Sequence, residues 1–143
     1  MKFFIINGPN MNLLGKREPA LYGDQTYDAL CKLIEDHAAR RGHSVDFFQS
    51  NHEGAIIDAI QSAPTVYDGI VINPAAYTHY SYAIYDALRA ISVPAVEVHI
   101  SDISARESWR KNSVTADACL CSIIGHGLAG YTEAMDYLEA HCS

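Results

Sequence analysis

Long apolar runs are missing from this chain: none approaches the roughly 20 residues needed to cross a bilayer, and the start lacks a basic segment followed by a signal-like apolar stretch. The expected compartment is therefore the cytoplasm, with no membrane partner. Positive charge is also scarce. Ten lysines and arginines face 17 aspartates and glutamates, a formal net charge of -7, which argues against a nucleic-acid partner and makes each arginine a local feature in an acidic background. The four cysteines, Cys31, Cys119, Cys121 and Cys142, form no Cys-x-x-Cys pair and no disulfide framework, so they read as small incidental thiols. A Walker-type phosphate loop and a Gly-x-Ser-x-Gly nucleophile elbow are absent, as are linkers, internal repeats and low-complexity segments. What is there, 143 residues of which 49% are hydrophobic and 19% charged, is enough for one domain, residues 1–143, with a core of its own.

Periodicity predicts five strand-helix units. Lys2 to Ile6 is short and continuously apolar, as expected of a strand covered on both faces. Thr26 is placed to cap a helix carrying Tyr27, Leu30, Cys31, Ile34 and Ala38 at helical spacing and ending near Gly42. His43 to Gln49 reads as the second strand. Ser50 and Glu53 match a capping box for a helix with Ile56, Ala59, Ile60 and Ala63 on one stripe, stopped by Pro64. Tyr67 to Asn73 and Pro94 to His99 are predicted strands on either side of a helix marked by Ile84, Ala87, Leu88 and Ile91. The long loop Ile100 to Val114 has Ser104 and Glu107 at capping-box spacing and is expected to include a helical turn, Ala116 to Ile124 is the predicted fifth strand, and Leu128, Tyr131, Met135 and Leu138 define the last helix. Such alternation argues for an α/β doubly wound parallel sheet, and for five units the flavodoxin-like order 2-1-3-4-5 is the common solution. That order puts a crevice beyond the carboxyl ends of strands one, three and four. The polar clusters Asn7 to Tyr22, Asn73 to His79 and His99 to Arg110 all follow such ends.

The connector from Asn7 to Tyr27 is too long for an ordinary strand-to-helix turn and has no periodicity, which suggests a binding loop or lid. Gly15 and Gly23 supply hinges, with Arg17, Glu18 and Tyr22 between them. A tyrosine acts as a base near neutrality only where cations stabilise its phenolate, and Arg17 is a permanent cation on the same loop. Composition alone favours a solvated loop with an incidental tyrosine and arginine. His99 ends the fourth strand with Glu97 on the same face, an arrangement that suits a general acid and equally a buried structural histidine. Gly125 to Gly130 matches a dinucleotide fingerprint, but too little chain follows for a strand bearing the acidic ribose partner, so a tight strand-to-helix turn is the better reading. His52, His79, His99 and Glu97 are candidate metal ligands, yet no His-x-x-x-His or comparable cluster completes a set, and no metal is expected. Asn73 stands where a phosphoacceptor domain of this architecture would want an aspartate.

Asn7-Gly8-Pro9-Asn10-Met11-Asn12-Leu13-Leu14-Gly15, then Arg17-Glu18-Pro19 and Tyr22-Gly23, closely resembles the opening signature of type II 3-dehydroquinate dehydratases. The resemblance continues through Asn73 to Asp86, Glu97 to Ser101 and Arg106 to Ser113, nearly the whole chain. It implies reversible dehydration of 3-dehydroquinate to 3-dehydroshikimate, an elimination alpha to a ketone without metal or organic cofactor, in the shikimate pathway or in quinate breakdown. It further implies that Tyr22 is the base and Arg17 the mobile lid arginine, that Asn10 positions a water beside the enolate, and that His99, oriented by Glu97, is the general acid. Asn73 and the backbone amides of Ile100 and Ser101 would hold the substrate carboxylate, His79 and Arg110 its hydroxyls. Asp86 would be contributed by a neighbouring subunit of a homododecamer built from trimers. A Schiff-base route is not expected, since none of Lys2, Lys16, Lys32 and Lys111 ends a core strand. Tyr80, Tyr85, Asp102 and Lys111-Asn112 depart from the family's pattern without removing a proposed chemical group. They bear on subunit contacts and on the electrostatics near His99. The alternative from another class is a noncatalytic domain that holds a small hydroxylated acid in the same crevice.

Overall fold

The computed structural model describes residues 1–16 and 25–142. Its main elements are β1 (Lys2–Asn7), α1 (Tyr27–Arg40), β2 (Ser44–Gln49), α2 (Glu53–Gln61), β3 (Gly69–Asn73), α3 (Tyr82–Ala90), β4 (Ala95–His99), β5 (Ser122–Ile124) and α4 (Ala129–Cys142). The strands pair in parallel in the order β2-β1-β3-β4-β5, the expected flavodoxin-like arrangement. Among the described residues no helix is long and apolar enough to cross a membrane.

Alternation along β1 sends Phe3 and Ile5 to one face of the sheet and Phe4 and Ile6 to the other. On the first face they meet Leu30 and Ile34 of α1 and Tyr131, Met135 and Leu138 of α4. On the second they meet Ile56 and Ile60 of α2 and Ile84 and Leu88 of α3. Each aliphatic side chain buried this completely contributes about 1.5–3 kcal/mol, so the apolar stripes decide which way the helices face. The Thr26 hydroxyl accepts from the Ala29 amide at 3.1 Å and caps α1 as expected, a contribution of about 1 kcal/mol. At Gly8 the backbone passes so close to the next loop that an added Cβ would lie 2.6 Å from the Pro74 carbonyl oxygen, which only glycine tolerates.

Three local expectations are corrected. Ser50 and Glu53 form no capping box: His52 is the N-cap of α2, Ser50 Oγ accepts from the His52 amide, and the Glu53 carboxylate accepts from Ser81 Oγ at 2.5 Å. Ser81 also caps α3, its oxygen accepting from the Ile84 amide. The second long loop does include helical turns as expected, Ile103–Ala105 and Ser108–Lys111, but Ser104 and Glu107 do not pair to cap them. Asp102 caps the short turn Ile103–Ala105 by accepting from the Ser104 amide at 3.0 Å, and Glu107 binds Arg110. The fifth strand begins at Ser122 rather than Ala116, because Ala116–Ala118 form a tight turn whose first amide donates to Ser113 Oγ. That turn directs the Thr115 side chain inward to Glu97 instead of continuing a ladder.

Candidate active site

Strand register lines up the polar residues. Asn7 pairs with Gln49 on one side and Asn73 on the other, and His99 pairs with Ile124, so the chemistry-bearing groups share one row at the carboxyl end of the sheet. Beyond that row lies a cavity of about 110 Å³. Pro9, Asn10, Met11 and Leu14 line it after β1; Asn73, Ala75, Ala76 and His79 after β3; and His99, Ile100, Ser101, Ile103, Arg106 and Arg110 after β4. No carboxylate is among these residues. Two guanidiniums and two imidazoles facing an uncharged floor make the cavity a place for an anion, in a chain whose net charge is negative.

His99 is buried and donates from Nε2 to the Glu97 carboxylate at 2.9 Å, since an ionised carboxylate can only accept. Burial alone would push the Glu97 carboxyl up, but the hydrogen bond and charge of His99 with the hydroxyls of Thr115 and Ser113 outweigh it and hold the carboxyl below its ordinary range. With Nε2 so engaged, Nδ1 is the ring nitrogen left for a ligand in the cavity. His79 Nδ1 lies 2.7 Å from the Asn112 carbonyl oxygen, which fixes its tautomer, and its ring meets Trp109 edge-on. Burial lowers the His79 imidazole's pKa, with His99 and Arg110 adding to the effect against the Asn112 carbonyl. Arg110 pairs with Glu107 and stacks over Trp109, 4.1 Å from the ring centroid, so its guanidinium is held at the cavity wall.

Asn10 sits at φ 70° and its backbone amide donates to Asn51 Oδ1 at 3.0 Å, which turns the loop after β1 over the cavity. Asn73 is nearly fully buried. Its amide donates to the Tyr131 phenol at 3.0 Å and more weakly to Met11 Sδ, while its Oδ1 accepts from the Ala75 amide. Tyr131, fully buried on α4, donates in turn to Asn7 Oδ1 at 2.6 Å, and Asn7 donates to the Tyr27 phenol at 3.3 Å. Burial pushes the Tyr131 phenol up and carries that of Tyr27 to about 12, the opposite of what a base requires.

The structure therefore brings together Asn10, Asn73, His79, His99, Ile100, Ser101 and Arg110, with Glu97 behind His99. Asp86 lies elsewhere, exposed on α3 and outside its own chain's cavity. Arg17 and Tyr22 lie outside the described residues. Sequence reasoning passed over Arg106, which the second long loop turns into the cavity, and over Tyr131, Thr78, Ser113 and Thr115. The one available signal was Tyr131: a tyrosine in an apolar stripe must find a partner for its hydroxyl. Among the described residues, no cluster of three or more histidines, cysteines, aspartates or glutamates is arranged to hold a metal ion.

Comparison with known proteins decides the family, because the model for dehydroquinase class II matches residues 1–139. The chain belongs to the class II dehydroquinase family. A 3-dehydroquinate dehydratase of Clostridium acetobutylicum is 53% identical over 139 residues, 97% of this chain and 96% of that protein. One of Thermotoga neapolitana is 54% identical over 139 residues, 97% and 94% of the two chains. The crystal structure of the type II dehydroquinase from Butyrivibrio crossotus superposes with a TM-score of 0.95 at 51% identity, covering 97% of each chain. These similarities span the class II dehydroquinase fold from β1 into α4, including every wall of the cavity.

Proposed function

We propose that this chain, as a single catalytic domain over residues 1–143, catalyses the reversible dehydration of 3-dehydroquinate to 3-dehydroshikimate through an enolate, without metal or organic cofactor. The observation that carries the reading is the His99–Glu97 pair at the back of a cavity whose described lining includes two arginines and no carboxylate, in a chain of the class II dehydroquinase family. A substrate bearing a carboxylate and hydroxyls suits that lining: Arg110 and His79 for hydroxyls, and the Asn73 side chain with the amides of Ile100 and Ser101 for the carboxylate.

In the proposed step the phenolate of Tyr22, favoured by Arg17, takes the proton from the carbon beside the ketone, and the bond's electrons move into the carbonyl as an enolate. A water held by Asn10 stabilises the enolate oxygen. As the enolate collapses, the carbon–oxygen bond to the hydroxyl breaks and His99 protonates the departing oxygen, so water and an enone are formed. Because Nε2–H is committed to Glu97, the donated proton comes from Nδ1, and His99 enters the step as imidazolium and leaves as the Nε2–H tautomer. Tyr27 and Tyr131, with phenols raised by burial, are poor alternatives to Tyr22 as the base. The reading assigns the reaction to the cytoplasm, in the shikimate pathway or quinate breakdown. It includes assembly as a homododecamer of trimers in which Asp86, exposed on α3, serves a neighbouring active site.

Growth of enone absorbance with 3-dehydroquinate tests the reaction. Tyr22→Phe is expected to suppress it by about 10²–10⁴-fold, the usual weight of a general base, while ligand binding persists. Binding without turnover by the unmodified chain would favour the noncatalytic alternative, and a fully active monomer in light scattering would remove the role given to Asp86.

A further inference from the structure

We propose that Thr115 is a positioning residue for proton donation by His99: its hydroxyl holds the Glu97 carboxylate that in turn fixes the histidine ring. The proposal rests on the dehydration reading and adds to it a group that touches neither substrate nor His99.

Glu97 is wholly inaccessible to solvent, and its carboxylate collects donors from three separate segments. Oε2 accepts from Thr78 Oγ1 at 3.0 Å, Ser113 Oγ at 2.8 Å and His99 Nε2 at 2.9 Å. Oε1 accepts from Thr115 Oγ1 in a very short contact. The hydroxyls also touch one another, with Thr78 lying 2.6 Å from Ser113 and 2.8 Å from Thr115. The chain is bent to build this cluster: the Val114 amide donates to the Thr78 carbonyl at 2.7 Å, and the turn at Ala116 replaces the start of a strand.

Counting donors singles out Thr115. Among the described residues, loss of the Thr78 or Ser113 hydroxyl leaves Oε2 with two donors, whereas loss of the Thr115 hydroxyl leaves Oε1 with none. A buried carboxylate oxygen stripped of its donor favours the protonated acid. A protonated Glu97 is no longer an acceptor-only partner, so it ceases to specify the Nε2–H form of His99. Thr78, Ser113, Thr115 and Glu97 do not line the cavity, so substrate contacts stay in place. The titratable groups that face Glu97 are His99 on its own strand, His79 from the turn after β3 and Cys119 from the segment before β5, with Arg110 beyond His79.

Thr115→Val, Thr115→Ser and Ser113→Ala in the full chain test this. For Thr115→Val the expectation is a fall in kcat of about tenfold with KM unchanged, and an acidic limb of the kcat profile displaced upward by about one pH unit. Thr115→Ser restores both. A readout independent of turnover is the 15N spectrum of labelled His99, recorded without substrate at a pH where the ring is neutral: the Nε2–H tautomer in the unmodified chain and a tautomer mixture in Thr115→Val. An unmodified chain inactive on 3-dehydroquinate defeats the dehydration reading and leaves the spectrum to judge Thr115. An unmoved limb together with an unmoved His99 tautomer overturns the proposal. Should Thr115→Val not fold, Thr115→Ala, which removes the same hydroxyl, must move both readouts the same way and further than Ser113→Ala does, and its failure to do so overturns the proposal equally.

Discussion

Tyr131→Phe removes one oxygen from the centre of the molecule, and its cost can be worked from the contacts. The phenol is fully buried, donates to Asn7 Oδ1 at 2.6 Å and accepts from Asn73 Nδ2 at 3.0 Å. The variant leaves Asn7 Oδ1 without that donor and Asn73 Nδ2 with only the weak 3.6 Å contact to Met11 Sδ. Each buried polar group left unmade costs about 1–3 kcal/mol, partly offset because phenylalanine has no hydroxyl to desolvate. The net expectation is a loss of about 2–4 kcal/mol, or about 6–12 °C in Tm for a domain of this size. Urea unfolding at fixed protein concentration reads it as a lower midpoint with an unchanged slope. Function should follow through KM rather than kcat, because Asn73 faces the cavity while Tyr131 does not. A variant within about 0.5 kcal/mol of the unmodified chain, with the same KM, would show that the phenol does not hold the two asparagines, and the reasoning fails.

Gly8→Ala forces a Cβ to 2.6 Å from the Pro74 carbonyl, so β1 and the loop after β3 must separate; the expected loss is about 1–3 kcal/mol with a raised KM, and an unchanged urea midpoint would contradict that close approach. Glu97→Gln keeps the shape but loses the charge opposite His99, and kcat should fall by about 10²-fold or more with little change in KM; a retained kcat would uncouple the pair. The Glu139 carboxyl is held down at about 2, against an ordinary 4.5, by the hydrogen bond and charge of Arg41 and then by the His43 imidazole, whose Nε2 lies 3.2 Å away. Its folded-state pKa is depressed, so its contribution to stability is present above 4.5 and is lost as pH falls toward 2. Calorimetry should therefore find Glu139→Gln less stable than the unmodified chain at pH 6, the two converging through that window, and a gap independent of pH would refute the pairing.

The fold was legible because the strands that matter are buried on both sides. Phe3 to Ile6 and Ile70 to Ile72 are unbroken apolar runs with no other stable home, and the helical stripes can be covered only by a sheet between them. The His99–Glu97 pair was legible for a similar reason, since a spacing of two on a strand puts both side chains on one face. What escaped was set by partners distant in sequence. Glu53 and Glu107 stood at capping distance from Ser50 and Ser104, but Ser81 and Arg110 bind them more directly. Ala116 to Ile124 alternates like a strand, yet the buried Glu97 charge draws Thr115 inward and delays the strand to Ser122. Thr78, Ser113 and Thr115 converge without any shared period, so no pattern in the sequence announced them.

The sheet separates the two networks that brace the cavity. Alternation along β3 and β4 sends Asn73 to the face covered by α1 and α4, where Tyr131 meets it, and Glu97 to the face covered by α2 and α3, where the hydroxyls meet it. One network holds Asn73 at the cavity, the other holds Glu97 behind His99, the proposed proton donor, and no described residue belongs to both. Sites on opposite faces with no shared partner should be energetically independent. The double variant Tyr131→Phe with Thr115→Val is then expected to lose stability as the sum of the single losses within about 0.5 kcal/mol, and to combine the KM change of one with the kcat change of the other. A coupling well beyond that margin would mean that the row of residues at the strand ends moves as one unit, and that binding and proton transfer cannot be altered separately in this fold.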